Sequence, residues 1–276
     1  MTAKRSRSYI PLLLFFILFV VFLYGPMFAI ITLSFQGPDG GLTFPMNGFS
    51  LHWFEQLFQP QRVGDFKGSF LRSLGLASIV MTLTVIISLS AGLAFRKKFQ
   101  GASFVFYLTI ASLIVPSILL TLGIGLEFDQ LGLESKWYTS GLGSHLSWTL
   151  PFGLLIMFAV FNRFDKSYEE AARDMGATPR QVLQYVVIPI IGPSLVGVGL
   201  FGFTLSFDEF ARSLLAMGVK NTLPLEIFGM TTTVTTPTLY ALGTLTTAVS
   251  FLIIGFSFAL IALLKIRRNK RKTTTG

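Results

Sequence analysis

The passage Tyr168-Glu-Glu-Ala-Ala-Arg-Asp-Met-Gly-Ala-Thr-Pro-Arg-Gln-Val-Leu-Gln-Tyr-Val-Val-Ile-Pro189 is charged and amphipathic, and it interrupts a chain otherwise made of long apolar runs. It predicts two short helices joined by a bend. Ser167 and Glu170 have the S-x-x-E spacing of a capping box, and Glu169 and Glu170 place negative charge where a helix N-terminus favours it. Gly176 is predicted to stop the first helix, because a glycine enters the left-handed region cheaply. Thr178 as N-cap with Pro179 at the first helical position is predicted to start the second.

The order Glu170-Ala171-Ala172, then Gly176, then Val186-x-Ile188-Pro189 resembles the EAA signature of the membrane subunits of ABC importers, with Val186 and Ile188 as conservative stand-ins. An amphipathic helix lying unpartnered on a membrane would not require this spacing. The resemblance implies an all-α integral membrane protein with six transmembrane helices in the type I ABC importer permease fold. It also implies that the loop at about 162–189 docks into a cleft of a cytosolic ATPase. The implied partners are a homologous second permease subunit, a dimer of ABC ATPase subunits that bind the ATP and Mg, and an extracytoplasmic substrate-binding protein. No cofactor is expected in this chain, and ATP hydrolysis is expected on the separate ATPase.

Composition agrees with a membrane protein. Of the 276 residues, 52% are hydrophobic and only 13% charged, against about a quarter charged in soluble domains. The net charge of +9 comes from basic clusters flanking apolar runs, where they orient a membrane chain, so no nucleic-acid partner is implied. The absence of cysteine excludes disulfides, thiolate chemistry and sulfur-ligated zinc. Lys4, Arg5 and Arg7 precede an apolar stretch too long for a signal-peptide core, which reads as a retained first span.

Runs long enough to cross a hydrocarbon core occur at about Ile10–Leu33, Ser73–Phe95, Ala102–Leu126, Ser144–Phe161, Ile190–Phe207 and Leu239–Leu264. The segments that an even number of spans places on one side are the two termini, Arg96-Lys97-Lys98 and the loop carrying Glu170. They hold 16 of the 22 Lys and Arg but 4 of the 13 Asp and Glu. By the positive-inside rule that side is cytoplasmic, in a multi-pass protein of the bacterial inner membrane. The chain reads as a single permease domain over residues 1–276.

Trp53, Phe54, Leu57 and Phe58 predict a short helix at the outer interface. Thr231 to Thr236, β-branched and uncharged, is expected to pack within protein. Pro193 with Gly192, Gly197, Gly199 and Gly202 makes the fifth span the one suited to bending and close packing. A membrane-embedded enzyme would need nucleophiles, bases or metal ligands. His52 and His145 are the only histidines and lack metal-ligand spacing, His145 reads as interfacial, and neither a G-x-S-x-G elbow nor a phosphate loop occurs. A secondary transporter would carry coupling carboxylates within its spans, and these spans have none in their middles.

Carboxylates instead gather at the outer ends of spans: Glu127 and Asp129 after the third, Asp208 and Glu209 after the fifth. With Phe207 they are the candidate substrate path. A structural alternative pairs Asp208 or Glu209 with Arg212, a helix-surface contact worth about 0.2–0.5 kcal/mol. Leu205-Ser-Phe-Asp-Glu209, Leu223-Pro224 and Ile227-Phe228-Gly229-Met230 resemble the branch of ABC permeases importing spermidine and putrescine, in its second permease subunit. Permeases for ferric iron and sulfate share much of this pattern, and a non-transporting membrane scaffold is the remaining alternative. Linear polyamines suit carboxylates and aromatic faces, where cation–π contacts contribute about 0.5–2 kcal/mol each.

Overall fold

The computed structural model describes residues 9–59, 64–97, 99–233 and 237–273. Among these the regular elements are all helical, apart from an isolated bridge between Gln36 and Phe49. Helix α1 (Tyr9–Leu33) is followed by a short α2 (His52–Gln56) that carries the expected Trp53 and Phe54. Then come α3 (Phe66–Phe95), α4 (Ala102–Ala111), α5 (Ser117–Gln130) and α6 (Ser140–Asn162). The signature region forms α7 (Ser167–Asp174), a single turn α8 (Pro179–Gln181) and a π-helical segment Val182–Val187 that runs into α9 (Ile188–Phe207). Helices α10 (Leu223–Thr233) and α11 (Thr238–Thr273) complete the chain.

Among the described residues, five helices are long and apolar enough to cross a membrane: α1, α3, α6, the continuous rod Pro179–Phe207, and Thr238–Phe256 within α11. The third apolar run departs from the expected single span Ala102–Leu126. It divides into α4 and α5 around Ser112–Pro116, because Pro116 cannot donate and pushes Val115 away from the helical region. Thr231 and Thr232, expected to be packed, are exposed at the end of α10, and residues 234–236 lie outside the described residues.

The chain forms two compact units. One comprises the described residues of Met1–Gly64 and Gly229–Val249. Here buried Gln36 organises the loop after α1: its amide donates to the Gly41 carbonyl at 3.0 Å and its oxygen accepts from the Asn47 N–H at 2.8 Å. Tyr240 Oη donates to the Leu42 carbonyl at 3.1 Å. The apolar side chains of α1 are largely exposed, as a lipid- or subunit-facing helix requires.

The other unit, Asp65–Phe228 with the described part of Ser250–Gly276, holds both candidate sites. Asp65 caps α3, accepting from the Gly68 N–H at 2.9 Å and pairing with Arg72 at 3.0 Å. Helices α3, α6 and α9 pack against one another, and small residues make this possible. A Cβ on Gly153 would approach Ser88 Oγ to 2.2 Å, and one on Gly92 would meet Phe161 at 2.9 Å. Close backbone approach replaces the hydrophobic drive that helices lack in lipid. Thr84 and Thr149 satisfy each other across α3 and α6, Oγ1 to Oγ1 at 2.8 Å. The core beneath comprises Met157, Phe161, Val182, Val187, Ile191 and Val198.

Candidate functional site

The spacing of the signature has a local physical cause. Helix α7 closes with Met175, and Gly176 follows at φ +85°. The Gly176 N–H donates to the Arg173 carbonyl at 2.8 Å and the Ala177 N–H donates to the Ala172 carbonyl at 3.0 Å. These are the two bonds of a Schellman closure, which satisfies carbonyls that a helix end would otherwise leave open. Ala172 and Ala177 both pack against the core, supplying the apolar contact that accompanies the motif. Four residues from Ala172 to Gly176 is therefore the distance from the last anchored turn to the residue that must go left-handed.

The second helix begins as expected. Thr178 and Gln181 form a reciprocal capping box with Pro179 at the first position, and the Thr178 N–H donates to Gln181 Oε1 at 2.8 Å. The first helix starts differently from the expected Ser167–Glu170 box. Lys166 is the N-cap residue, and the Ser167 N–H donates to Asp165 Oδ1 at 3.0 Å. That backbone bond holds the Asp165 carboxyl below its ordinary pKa. An aspartate two residues upstream thus does the work assigned to Ser167.

Within the signature, Glu170 and Ala171 are exposed and form the outward face of α7, while Ala172 is half-buried. Val186 and Ile188 are half-buried and Pro189 is exposed, and between them Val187 is the fully buried residue. Pro189 lacks an N–H, and in an α-helix its ring would crowd the carbonyl four residues back. The turn before it is widened, with the Ile188 N–H reaching the Leu183 carbonyl five residues earlier. The accommodation of Pro189 is thus spread over Val182–Val187.

Glu169, one residue ahead of the signature, reads from the sequence only as a charge at the start of α7. It is buried and bridges Arg96 at the end of α3 and Arg173 on its own helix, the latter at 3.3 Å. The Arg96 guanidinium also lies 5.1 Å from the Phe161 ring centroid and 5.4 Å from that of Phe164. Helix α7 is thereby tied to the C-terminal ends of α3 and α6 through one charged, aromatic-clad joint. A signal was present: an arginine closing an apolar run, and a glutamate directly before an E-A-A.

At the other end of α9 the candidate substrate path is divided. Phe207 is buried, packed edge-on to Phe70 at 6.3 Å and stacked on Phe203 at 5.8 Å. Asp208 follows α9, exposed, with no hydrogen-bond partner for its carboxylate among the described residues; partial desolvation raises its pKa. Glu209 is half-buried, and its Oε1 accepts from the backbone N–H of Arg212 at 2.9 Å. Glu127 and Asp129 lie exposed on α5, and no ion pair or hydrogen bond among the described residues joins them to Asp208 or Glu209.

The alternative side-chain pair of Asp208 or Glu209 with Arg212 is not formed among the described residues. Its guanidinium is buried 4.4 Å over the Trp148 ring, and Nε and Nη1 have no hydrogen-bond partner among the described residues. Burial lowers its pKa and the Glu209 charge opposes that shift. A fourfold-spaced stripe on α6 clamps the same turn: Ser140 Oγ donates to the Ala216 carbonyl at 2.7 Å and Ser144 Oγ to the Arg212 carbonyl at 2.9 Å. His145 is fully buried rather than interfacial, between Ser206 at 2.8 Å and Ser213 at 3.1 Å. Ser213 already donates to the Glu209 carbonyl at 2.7 Å, so it accepts from His145 Nε2–H, and Nδ1 accepts from Ser206. Ser140, Ser144 and Trp148 at intervals of four are the pattern that could have revealed this clamp.

Residues 84–270 match the family described as binding-protein-dependent transport system inner membrane component. The chain is 30% identical over 244 residues to the spermidine/putrescine transport system permease protein PotC of Haemophilus influenzae, covering 87% of this chain and 93% of that protein. It is 27% identical over 233 residues to the putrescine transport system permease protein PotI of Escherichia coli, covering 81% of each. Among solved structures, a chain of a bacterial ABC transporter involved in the import of alginate superposes with a TM-score of 0.66 at 17% identity, over 98% of this chain and 99% of that one. The MetNI methionine ABC transporter, in an inward-facing conformation, gives 0.57 at 17% identity over 72% and 94%.

Proposed function

From the premise that this chain belongs to the family of binding-protein-dependent transport system inner membrane components, and so is a membrane subunit of an ABC importer, we propose that it forms half of a translocation pore for polyamines of the spermidine and putrescine type. It is a transport subunit and not an enzyme. The polyamine reading is carried by relatives matched along most of the chain whose names specify spermidine and putrescine. The carboxylate of Asp208, unpaired at the end of α9, is chemically suited to a cation.

In this reading the residues form a single permease domain whose termini and signature loop face the cytoplasm. The exposed Glu170–Ala171 face of α7 enters a cleft of the ATPase, one copy beneath each of two homologous permease subunits. A substrate-binding protein delivers the solute outside. ATP closes the ATPase dimer and carries α7 with it. The joint of Glu169 and Arg96 passes the displacement to α3 and α6, and the rod through Pro189 passes it to α9. Such gating needs two packed arrangements of similar energy, each favoured by a different ligand.

The test is uptake by the complex reconstituted with its second permease, ATPase and binding protein. Labelled spermidine, putrescine, ferric chelates and sulfate are each offered with and without ATP. ATP-dependent accumulation of spermidine or putrescine, competed by the unlabelled amine, is expected. Accumulation of iron or sulfate in place of polyamine would replace the solute while keeping the permease. ATP-dependent accumulation of none of the panel would leave a non-transporting scaffold or an untried solute.

A further inference from the structure

Between the ends of α3 and α6 lies a cavity of 170 Å³ lined by Gly92, Phe95, Arg96, Phe158, Asn162 and Lys166. That volume is several times the ~10–15 Å³ that holds one water, so it accommodates a group of phosphate size. It sits at interfacial depth, since Phe95 and Asn162 are the last residues of two spanning helices. Gly92 is needed there, because a Cβ would press on Phe161 and Met157.

The charges around the recess are unequal. Arg96 is matched by Glu169, and Asp165 is turned to the Ser167 N–H. Lys166 lines the recess and forms no ion pair among the described residues. On its membrane side the rim is aromatic. Phe106 of α4 packs on Phe158 at 5.2 Å and on Phe95 at 6.1 Å, and the exposed Phe104, Val105, Tyr107 and Leu108 continue the apolar surface. A cationic recess opening onto a lipid-facing aromatic surface matches a ligand with an anionic head and apolar tails. A soluble anion would have no use for the rim.

We propose that this recess binds the phosphate of an anionic phospholipid, with Lys166 facing the headgroup beside the Arg96–Glu169 pair and the acyl chains lying along Phe158, Phe106 and α4. The bound lipid then rests against the joint that ties α7 to α3. The site rests on the membrane reading alone and not on the identity of the solute.

The test uses the full chain in detergent, stripped of lipid, with phosphatidylglycerol or phosphatidylcholine added and bound copies counted by native mass spectrometry. Phosphatidylglycerol is expected to bind about tenfold more tightly, and Lys166→Glu to weaken it about tenfold, since each basic residue near an anionic headgroup contributes several-fold. Lys166→Arg should restore binding to within about twofold, and Arg163→Glu, outside the recess, should change it by no more than that. Equal binding of the two lipids, or equal losses in Lys166→Glu and Arg163→Glu, would overturn the proposal. Displacement of the lipid by millimolar glycerol phosphate or inorganic phosphate would also overturn it, by making the site one for a soluble phosphate.

Discussion

Gly176 offers a perturbation whose magnitude can be worked from its surroundings. Its φ is +85° and a Cβ added there meets nothing within 4 Å, so substitution creates no clash within the chain. The whole intrachain effect is backbone: about 1–2 kcal/mol for a residue carrying a Cβ in the left-handed region, with asparagine the best tolerated. At that cost the closed turn becomes about 5- to 30-fold less populated relative to a frayed one that releases the Ala172 and Arg173 carbonyls. An aspartate adds a negative charge at the C-terminus of α7, unfavourable by a further 0.3–1 kcal/mol, roughly. The expected order of transport is Gly176, then Gly176→Asn, Gly176→Ala and Gly176→Asp, with expression and membrane insertion near normal throughout. Reconstituted complexes would be assayed for solute uptake, ATP hydrolysis with and without loaded binding protein, and ATPase copies retained per permease. Gly176→Asp that assembles and transports at the wild-type rate would remove the turn from coupling. Gly176→Asn losing as much as Gly176→Asp would refute the conformational argument and point to space within the partner's cleft.

Four further outcomes are expected. Glu169→Gln leaves half-buried Arg96 without its counter-charge and should lower the stability by about 1–3 kcal/mol, with partial recovery in the Arg96→Met/Glu169→Gln double variant; simple additivity in that cycle would show that the two do not act as a pair. Asp208→Asn should slow polyamine uptake while leaving assembly and basal ATPase activity unchanged, whereas Glu209→Gln should loosen the 208–213 turn and lower assembly. Because the Asp208 pKa is raised, its charge is lost on acidification before that of an ordinary carboxylate, so uptake should fall at a higher pH than in a solvated site and the Asp208→Asn profile should be flatter. A cysteine introduced at Ala177 should resist a membrane-impermeant thiol reagent applied to intact cells; labelling from outside would reverse the assigned orientation.

The helical class, the apolar runs and the signature turn were legible because each rests on a strong local rule: span length, a left-handed glycine, a Thr-Pro start. The break at Ser112–Pro116 was also written in Pro116, but the apolar run on either side masked it. What could not be read were the choices settled by partners distant in sequence. Glu169 faces inward only because Arg96 ends α3 opposite it. Arg212 sits near two carboxylates, yet its guanidinium is placed on Trp148 by a turn that α6 clamps from below. His145 reads as interfacial until the hydroxyls of Ser206 and Ser213 arrive on both sides of its ring.

The widened turn Val182–Val187 separates how much chain is present from which way a face points. Buried Val182 and Val187 are five apart, whereas Val187 and Ile191 are four apart and Ile191 and Val198 seven. The first interval follows a five-residue bond and the later ones the ordinary 3.6-residue period. Each residue of an α-helix turns the following face by about 100°. Losing one residue from α9 would therefore swing Val198 and Phe203 off the core. Losing one inside Val182–Val187 lets the wide turn relax to an ordinary one and keeps both ends in phase. Single-residue deletions scanned through 182–203 should accordingly yield folded, membrane-inserted protein only at the start of that window. The rod Pro179–Phe207 thus carries one spare link, in the turns directly after α7 and its glycine stop.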